Sequence, residues 1–232
     1  MIRLAGALVL TIGILAAPPA SAATTATGTV RLDGVRVVLR SATTQVVTVN
    51  RTHGWHARAT LWVRTASGWR RGLRTTDARV GYGGLSVATR RHQGDGTTPL
   101  GTFDLMSTFG THARRSAWSM PYRRTRAGDY WVGDNSSRYY NQLRTRAQGG
   151  FRLLPASDPE ASEHLAHYRR QYEYAFVTSF NVEQVRWRGF AIFLHVNGRG
   201  ATAGCVSLPR SMMRKLFHRL EPSAHPVIAI GR

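Results

Sequence analysis

Short β-type runs broken by turn dipeptides dominate this chain, and they leave few folds open to it. Residues 45–49 alternate in the way that starts a sheet. Further runs up to about residue 80, notably 59–64, are separated by His53-Gly54 and Ser67-Gly68, the grammar of successive hairpins. Gly94-Asp95-Gly96-Thr97-Thr98-Pro99 is a turn cluster leading into a strand over 101–105. A loop that cradles phosphate would lead into a helix and carry Gly-Lys-Ser/Thr, and this one does neither. Residues 172–178 and 190–196 read as strands, the second almost wholly apolar and therefore central, and 227–230 closes the sheet. Two segments carry a helical period. Ser157-Asp158-Pro159-Glu160 has the form of a capping box ahead of Ala161, Leu165 and Tyr168, which predicts a short helix. Met212, Met213, Leu216, Phe217 and Leu220 share one face of a helix over 210–220 that Pro222 ends. Residues 111–150 fit neither pattern. They are polar and arginine-rich, yet Trp118, Tyr122, Tyr130, Trp131, Tyr139 and Tyr140 run through them, and such aromatic content argues for an ordered insertion over a groove. Together the patterns predict a mainly β domain with mixed sheets, a few helices and an irregular insertion above the site.

The amino terminus predicts export. Arg3 gives a positive first region, residues 4–17 carry no charge, and Ala20-Ser21-Ala22 offers a small-x-small cleavage site. The uncharged run is shorter than the roughly twenty residues that a spanning helix needs. The chain thus divides into a signal peptide over 1–22, a linker rich in Ala, Thr and Val over 23–42, and one domain over 43–231. That domain is expected outside the cytoplasm, in the cell wall or secreted, with the membrane touched only through the signal segment. Its charge has a consequence there. Lys and Arg number 32 against 12 acidic residues, a net charge of +20, and Lys215 is the only lysine. Such a surface attracts polyanions and is screened by salt, so anionic wall polymers are candidate partners and nucleic acid is a non-specific one at most. Cys205 is the only cysteine, which excludes an intramolecular disulfide in a compartment where disulfides persist. Intermolecular pairing, inert burial and chemistry remain open to it.

Its neighbours favour chemistry. His195 ends the apolar run Phe193-Leu194-His195-Val196, ten residues before Cys205 in Thr202-Ala203-Gly204-Cys205-Val206-Ser207-Leu208-Pro209. A backbone carbonyl would satisfy a merely structural histidine there, but ten residues also let the chain turn back so that a base meets a thiol. Ala203 and Gly204 leave room for a carbonyl to approach, and successive N–H groups would form an oxyanion hole. Ser207 is a candidate N-cap and Pro209 suits the first turn of the following helix. The thiol would then lie just ahead of a helix N-terminus, whose dipole favours the thiolate, with His195 supplying the larger effect.

These residues resemble the L,D-transpeptidase family, also called the YkuD-type domain, whose signature is a histidine, a spacer and Ser/Thr-His-Gly-Cys. Here it stands as His195 and Thr202-Ala203-Gly204-Cys205. The loop and strand Gly94-Asp95-Gly96-Thr97-Thr98-Pro99-Leu100-Gly101-Thr102-Phe103, the segment Asp129-Tyr130-Trp131-Val132, and Tyr139-Tyr140-Asn141 and Phe180-Asn181 match further family positions. Three departures mark a divergent, actinobacterial-like branch. Ala203 stands where most members have a second histidine, the spacer is shorter, and Ser207 replaces an Arg or Asn that is a substrate contact in relatives. The resemblance implies a β-sandwich-like catalytic domain that acts on peptidoglycan stem peptides without metal or cofactor. It makes Cys205 the nucleophile and His195 its base, with Gly204 and Cys205 N–H groups as oxyanion donors and the Val196 carbonyl orienting the imidazole. Thr202, Ala203, Ser207 and Arg210 would line the substrate site, Arg210 or an arginine of the insertion taking the place of the larger side chain that relatives carry at Ser207.

Two alternatives stay open at this level. Water resolving the same thioester would make a carboxypeptidase-type hydrolase from the same two residues. A non-catalytic, basic wall-binding protein would use the arginines at 70, 71 and 74 beside Trp69, or Arg123-Arg124-Thr125-Arg126, to track a polyanion. His53 and His56, and His164 and His167, have a chelating spacing but no accompanying acid or cysteine, so no metal site is expected.

Overall fold

The computed structural model of the chain describes residues 26–232. The stretch read as a signal peptide, 1–22, lies outside the described residues. Most of the span read as a linker is a hairpin: β1 (Ala26–Leu32) and β2 (Val35–Arg40) pair antiparallel about Asp33-Gly34, both at positive φ. Asp-Gly suits such a turn because neither residue resists the left-handed region. Val35 and Val37 alternate with exposed Arg36 and pack with Leu32 onto Val46, Val227 and Ala229. Arg58 forks onto the turn carboxylate of Asp33, so the hairpin is tied to the sheet by charge as well.

The main sheet begins with β3 (Gln45–His53), β4 (His56–Thr65) and β5 (Gly68–Arg79), an antiparallel meander turning at the glycine dipeptides. After β6 (Leu85–Val87) comes β7 (Thr98–Gly110), whose first half pairs with β15 (Val227–Gly231) and whose second half pairs with β12 (Tyr174–Thr178). The remaining members are β8 (Tyr122–Arg124), β13 (Phe193–Val196) and β14 (Val206–Leu208). The order β12-β13-β14-β5-β4-β3-β15-β7 returns to β12, so the sheet curls into a barrel-like closure. The sheet is mixed, with β13–β14, β15–β3, β6–β7 and β7–β8 parallel.

The one α-helix among the described residues, α1 (Arg210–Phe217), plugs this sheet with Met212, Met213, Leu216 and Phe217. Phe217 meets Phe176, Tyr174 and Trp118 edge-on at 4.9, 5.0 and 5.1 Å, the favoured aromatic geometry. The helix is shorter than its apolar period suggests, because His218 ends it while Leu220 stays buried beyond. Pro209, not Ser207, is the N-cap, since Ser207 is held inside β14 by its pairing with His195 and Arg79.

The insertion is ordered. It holds a small sheet of β9 (Asp129–Trp131) between β10 (Leu143–Thr145) and β11 (Glu163–His164). The α-helix expected behind Ser157 does not form. Asp158 accepts the Glu160 N–H at 2.8 Å to make a turn, and the Glu160 carboxylate bonds Asn135 and Arg152 instead of capping. Pro159 lacks the N–H that a helix would use, and only a 3-10 turn at Leu165–Tyr168 forms.

Candidate active site

Strand alternation sorts the signature residues. On β13 and β14, Leu194, Val196, Val206 and Leu208 point into the α1 core, while Phe193 and Cys205 belong to a second apolar cluster on the other face. His195 and Ser207 follow two residues on, register partners on that same face. The cluster is completed by Phe109, Ala175 and Val177 from neighbouring strands and by Leu165, Tyr172 and Ala191, with Trp131, Leu143 and Phe190 packed against it. The cover therefore extends past residue 150 to Tyr172.

Cys205 is buried. Its Sγ donates to the Ala191 carbonyl at 3.1 Å and accepts the Phe193 N–H at 3.3 Å. Burial pushes the thiol up to about 12, with the Glu163 charge adding to the rise. The α1 N-terminus gives it no help, because β14 intervenes and a helix dipole fades within its first turn. His195 is buried too, and burial lowers its imidazole to about 4, so the ring is neutral near pH 7. Nδ1 lies 2.8 Å from the Val196 carbonyl. A carbonyl only accepts, so the ring proton sits on Nδ1 and leaves the Nε2 lone pair free. No hydrogen bond joins His195 to Cys205 among the described residues. Tyr172 stands between their surroundings: its ring meets His195 edge-on at 5.3 Å, it packs in the Cys205 cluster, and its hydroxyl donates to Glu163. Burial pushes the Glu163 carboxyl up to about 7 against that hydrogen bond.

Two hydroxyls hold the nucleophile loop, and Thr98 Oγ1 donates to the Cys205 carbonyl at 3.2 Å. Thr202 Oγ1 donates to the Cys205 carbonyl at 2.6 Å and accepts the Gly204 N–H at 3.2 Å. Of the two N–H groups expected to meet an oxyanion, that of Gly204 is therefore taken by Thr202 and that of Cys205 has no acceptor among the described residues. The loop rests on the glycine turn cluster: a Cβ at Gly81 would lie 2.0 Å from the Gly96 carbonyl and 3.2 Å from the Gly204 Cα. Ala203 is exposed beside it. Ser207 is fully buried, and its hydroxyl has no partner among the described residues. Arg210 lies beyond the far end of β14, its guanidinium taken by Glu173 at 2.5 Å through Nε and Nη2. The structure thus gathers Cys205, Gly204, Thr202, Ala203 and, through β13, His195 and Val196, whereas Arg210 stands apart.

Tyr172, Glu163 and Arg91 were missed from sequence. Each lies far along the chain from the signature, and no local period marks it. Arg91 is only three residues before the Gly94 turn, the one available hint. The insertion is docked by Asn141, whose Nδ2 donates to the Phe180 and Asn181 carbonyls at 2.9 Å each and whose Oδ1 accepts from Trp131 and Ala191. An apolar cavity of about 270 Å³ beside the cluster shares Phe109, Trp131, Leu143, Leu165 and Val177 with it, but Cys205 does not line it. His164 bonds His167 at 2.8 Å and the Ala127 carbonyl, so both its nitrogens are occupied within the protein.

The fold is that of a mainly β protein in which a buried cysteine and a buried histidine stand near the paired strands β13 and β14 under an inserted cover. The YkuD family profile, described as the L,D-transpeptidase catalytic domain, matches residues 44–228, and the chain belongs to that family. The family acts on peptidoglycan, which gives the chain its general function. No curated protein and no solved structure matches it.

Proposed function

We propose that this chain is an exported cysteine acyltransferase that forms 3-3 cross-links between peptidoglycan stem peptides through a thioester on Cys205. The observation that carries this is the neutral His195, its Nδ1 fixed by Val196 and its Nε2 free, on the strand paired beside that of the sole thiol. A thiol near 12 holds its proton at neutral pH, so attack requires a base in the same step. As Sγ bonds the carbonyl carbon of the donor tetrapeptide, its proton passes to Nε2 of His195. The oxyanion is met by the Cys205 N–H. Collapse breaks the C–N bond, and the proton moves from His195 to the leaving amine, releasing the terminal D-amino acid. An acceptor amine then attacks the thioester, gives its proton to His195, and the C–S bond breaks to restore the thiol. To meet His195 and substrate the Cys205 sulfur must leave its bonds to Ala191 and Phe193, and Tyr172, which packs against both catalytic side chains, must give way.

Mass spectrometry of disaccharide-tetrapeptides incubated with the mature protein tests this. Cross-linked dimers lacking one terminal D-residue are expected, with Cys205→Ala and His195→Ala each lower by several powers of ten. Tripeptides alone would make the enzyme a hydrolase, and wild-type turnover in Cys205→Ala would sink the thioester.

A further inference from the structure

A buried arginine is costly unless paired, and this chain forks even its partly exposed arginines onto carboxylates. Arg58 reaches Asp33 through two nitrogens at 2.7 Å each, Arg152 reaches Asp134 at 3.1 and 2.6 Å, and Arg210 reaches Glu173 at 2.5 Å twice. Their side chains are 25%, 49% and 57% exposed. Arg91 is 4% exposed and has no such partner among the described residues. Its nearest carboxylate oxygen, Asp95 Oδ1, is 3.9 Å from Nε and already accepts the N–H and hydroxyl of Thr97 at 2.8 Å each. Nε donates to the Thr97 carbonyl at 2.7 Å and Nη1 to that of Arg188 at 3.0 Å, both neutral acceptors. Nη2 meets no acceptor among the described residues. Phe180 covers one face of the guanidinium at 5.5 Å.

Two glycines make room for this cation. A Cβ at Gly189 would lie 1.6 Å from Nη1 and one at Gly204 would lie 2.6 Å from Nη2, and both residues are at positive φ. The unpaired Nη2 therefore stands within about 4 Å of the Gly204 Cα, one residue ahead of the nucleophile. An anion held there would be within reach of a group bonded to Sγ.

We propose that Arg91 is an anion subsite beside the nucleophile and that its ligand is the terminal carboxylate of the donor stem peptide. This rests on the acyl-transfer reading above. In such a donor the carboxylate is separated from the attacked carbonyl carbon by only the amide nitrogen and one carbon, roughly 4 Å away. Neither Ser207, fully buried, nor Arg210, held by Glu173 past the strand end, is free to meet it.

Two alkylating agents that differ in charge test the subsite without any substrate. Iodoacetate should label Cys205 faster, relative to iodoacetamide, than it labels a free cysteine peptide. Arg91→Gln should lower that ratio about tenfold, the worth of one hydrogen bond to a charged group. Arg91→Lys keeps the charge and should keep most of the preference, and it carries the test if Arg91→Gln does not fold. With tetrapeptide donors, Arg91→Gln should raise KM for the free acid about tenfold and leave the C-terminal amide unchanged. Equal slowing of both alkylators in Arg91→Gln would overturn the proposal and make Arg91 a countercharge to the thiolate only. An Arg91-dependent preference for iodoacetate in a protein that turns over neither donor would uphold the anion subsite and remove the acyl-transfer reading.

Discussion

At the scale of single residues, the Thr202 hydroxyl shapes the nucleophile loop more than any other group in the signature. It accepts one N–H and donates to the carbonyl of Cys205 itself. Thr202→Val keeps the shape and removes both bonds, and about 1–3 kcal/mol of stability should go with them, read as a lower denaturation midpoint. The freed Gly204 N–H would also be released towards the oxyanion, so kcat should fall less than stability alone suggests. Glu163 and His195 set opposing pH dependences. His195 is lowered to about 4, so the unfolded chain binds the extra proton between that value and 6.5, and stability is lost as pH falls through this window. Glu163 is raised to about 7, so the folded chain holds the extra proton above 4.5, and stability is lost as pH rises towards 7. Glu163→Gln removes only the second effect. Its melting temperature should therefore gain on the wild type steadily from pH 4.5 to 7 and run parallel above that, and a constant difference across the range would contradict the burial of this carboxyl. From the sequence, His195 and Cys205 are visible because their motif is local. Glu163 and Tyr172 are not, because they reach the thiol through the packing of a separate segment.

At the scale of elements, strands were read more accurately than caps. The alternating run at 45–49 and the apolar runs at 172–178, 190–196 and 227–230 predicted β3, β12, β13 and β15 within a few residues, since strands buried on both faces read as continuous apolar runs. The capping box at Ser157 failed because Arg152 and Asn135 claim the Glu160 carboxylate, while Thr145 and Gln148 form a real one on a 3-10 turn that no apolar period announces. The inserted cover is fastened to the loop over 180–191 chiefly by Asn141, a left-handed residue with φ of 57°. Asn141→Ala adds strain and removes four side-chain bonds, and Asn141→Gly removes the bonds without strain. Both should speed hydrogen exchange across β9 and β10 and quicken labelling of Cys205 by iodoacetamide. Unchanged exchange would mean that the Asn135 and Tyr140 bonds to that loop and the Trp131–Phe193 contact, at 4.9 Å, hold the cover without Asn141.

At the scale of the whole molecule, a net charge of +20 is spread over exposed arginines such as Arg70 and Arg71 on β5, away from the β13–β14 face that carries the thiol. Binding to isolated anionic wall polymers should weaken steeply between low and physiological salt, and Arg70→Gln with Arg71→Gln should flatten that slope without changing turnover of small donors. An affinity indifferent to salt would remove the basic surface as the contact. By itself the sequence determined the mainly β class, the family, the apolar face of α1, and the cysteine and histidine, because each is written in nearest-neighbour pattern or in a local motif. Only the tertiary structure decided that β7 bends to close the sheet on β12, that Ser207 is sealed in a strand and does not cap the helix, and that a buried arginine turns an Nη2 without an acceptor towards the nucleophile loop. Those outcomes depend on which distant segments exclude water from one another, and burial of that kind is a property of the assembled core that no window of the chain contains.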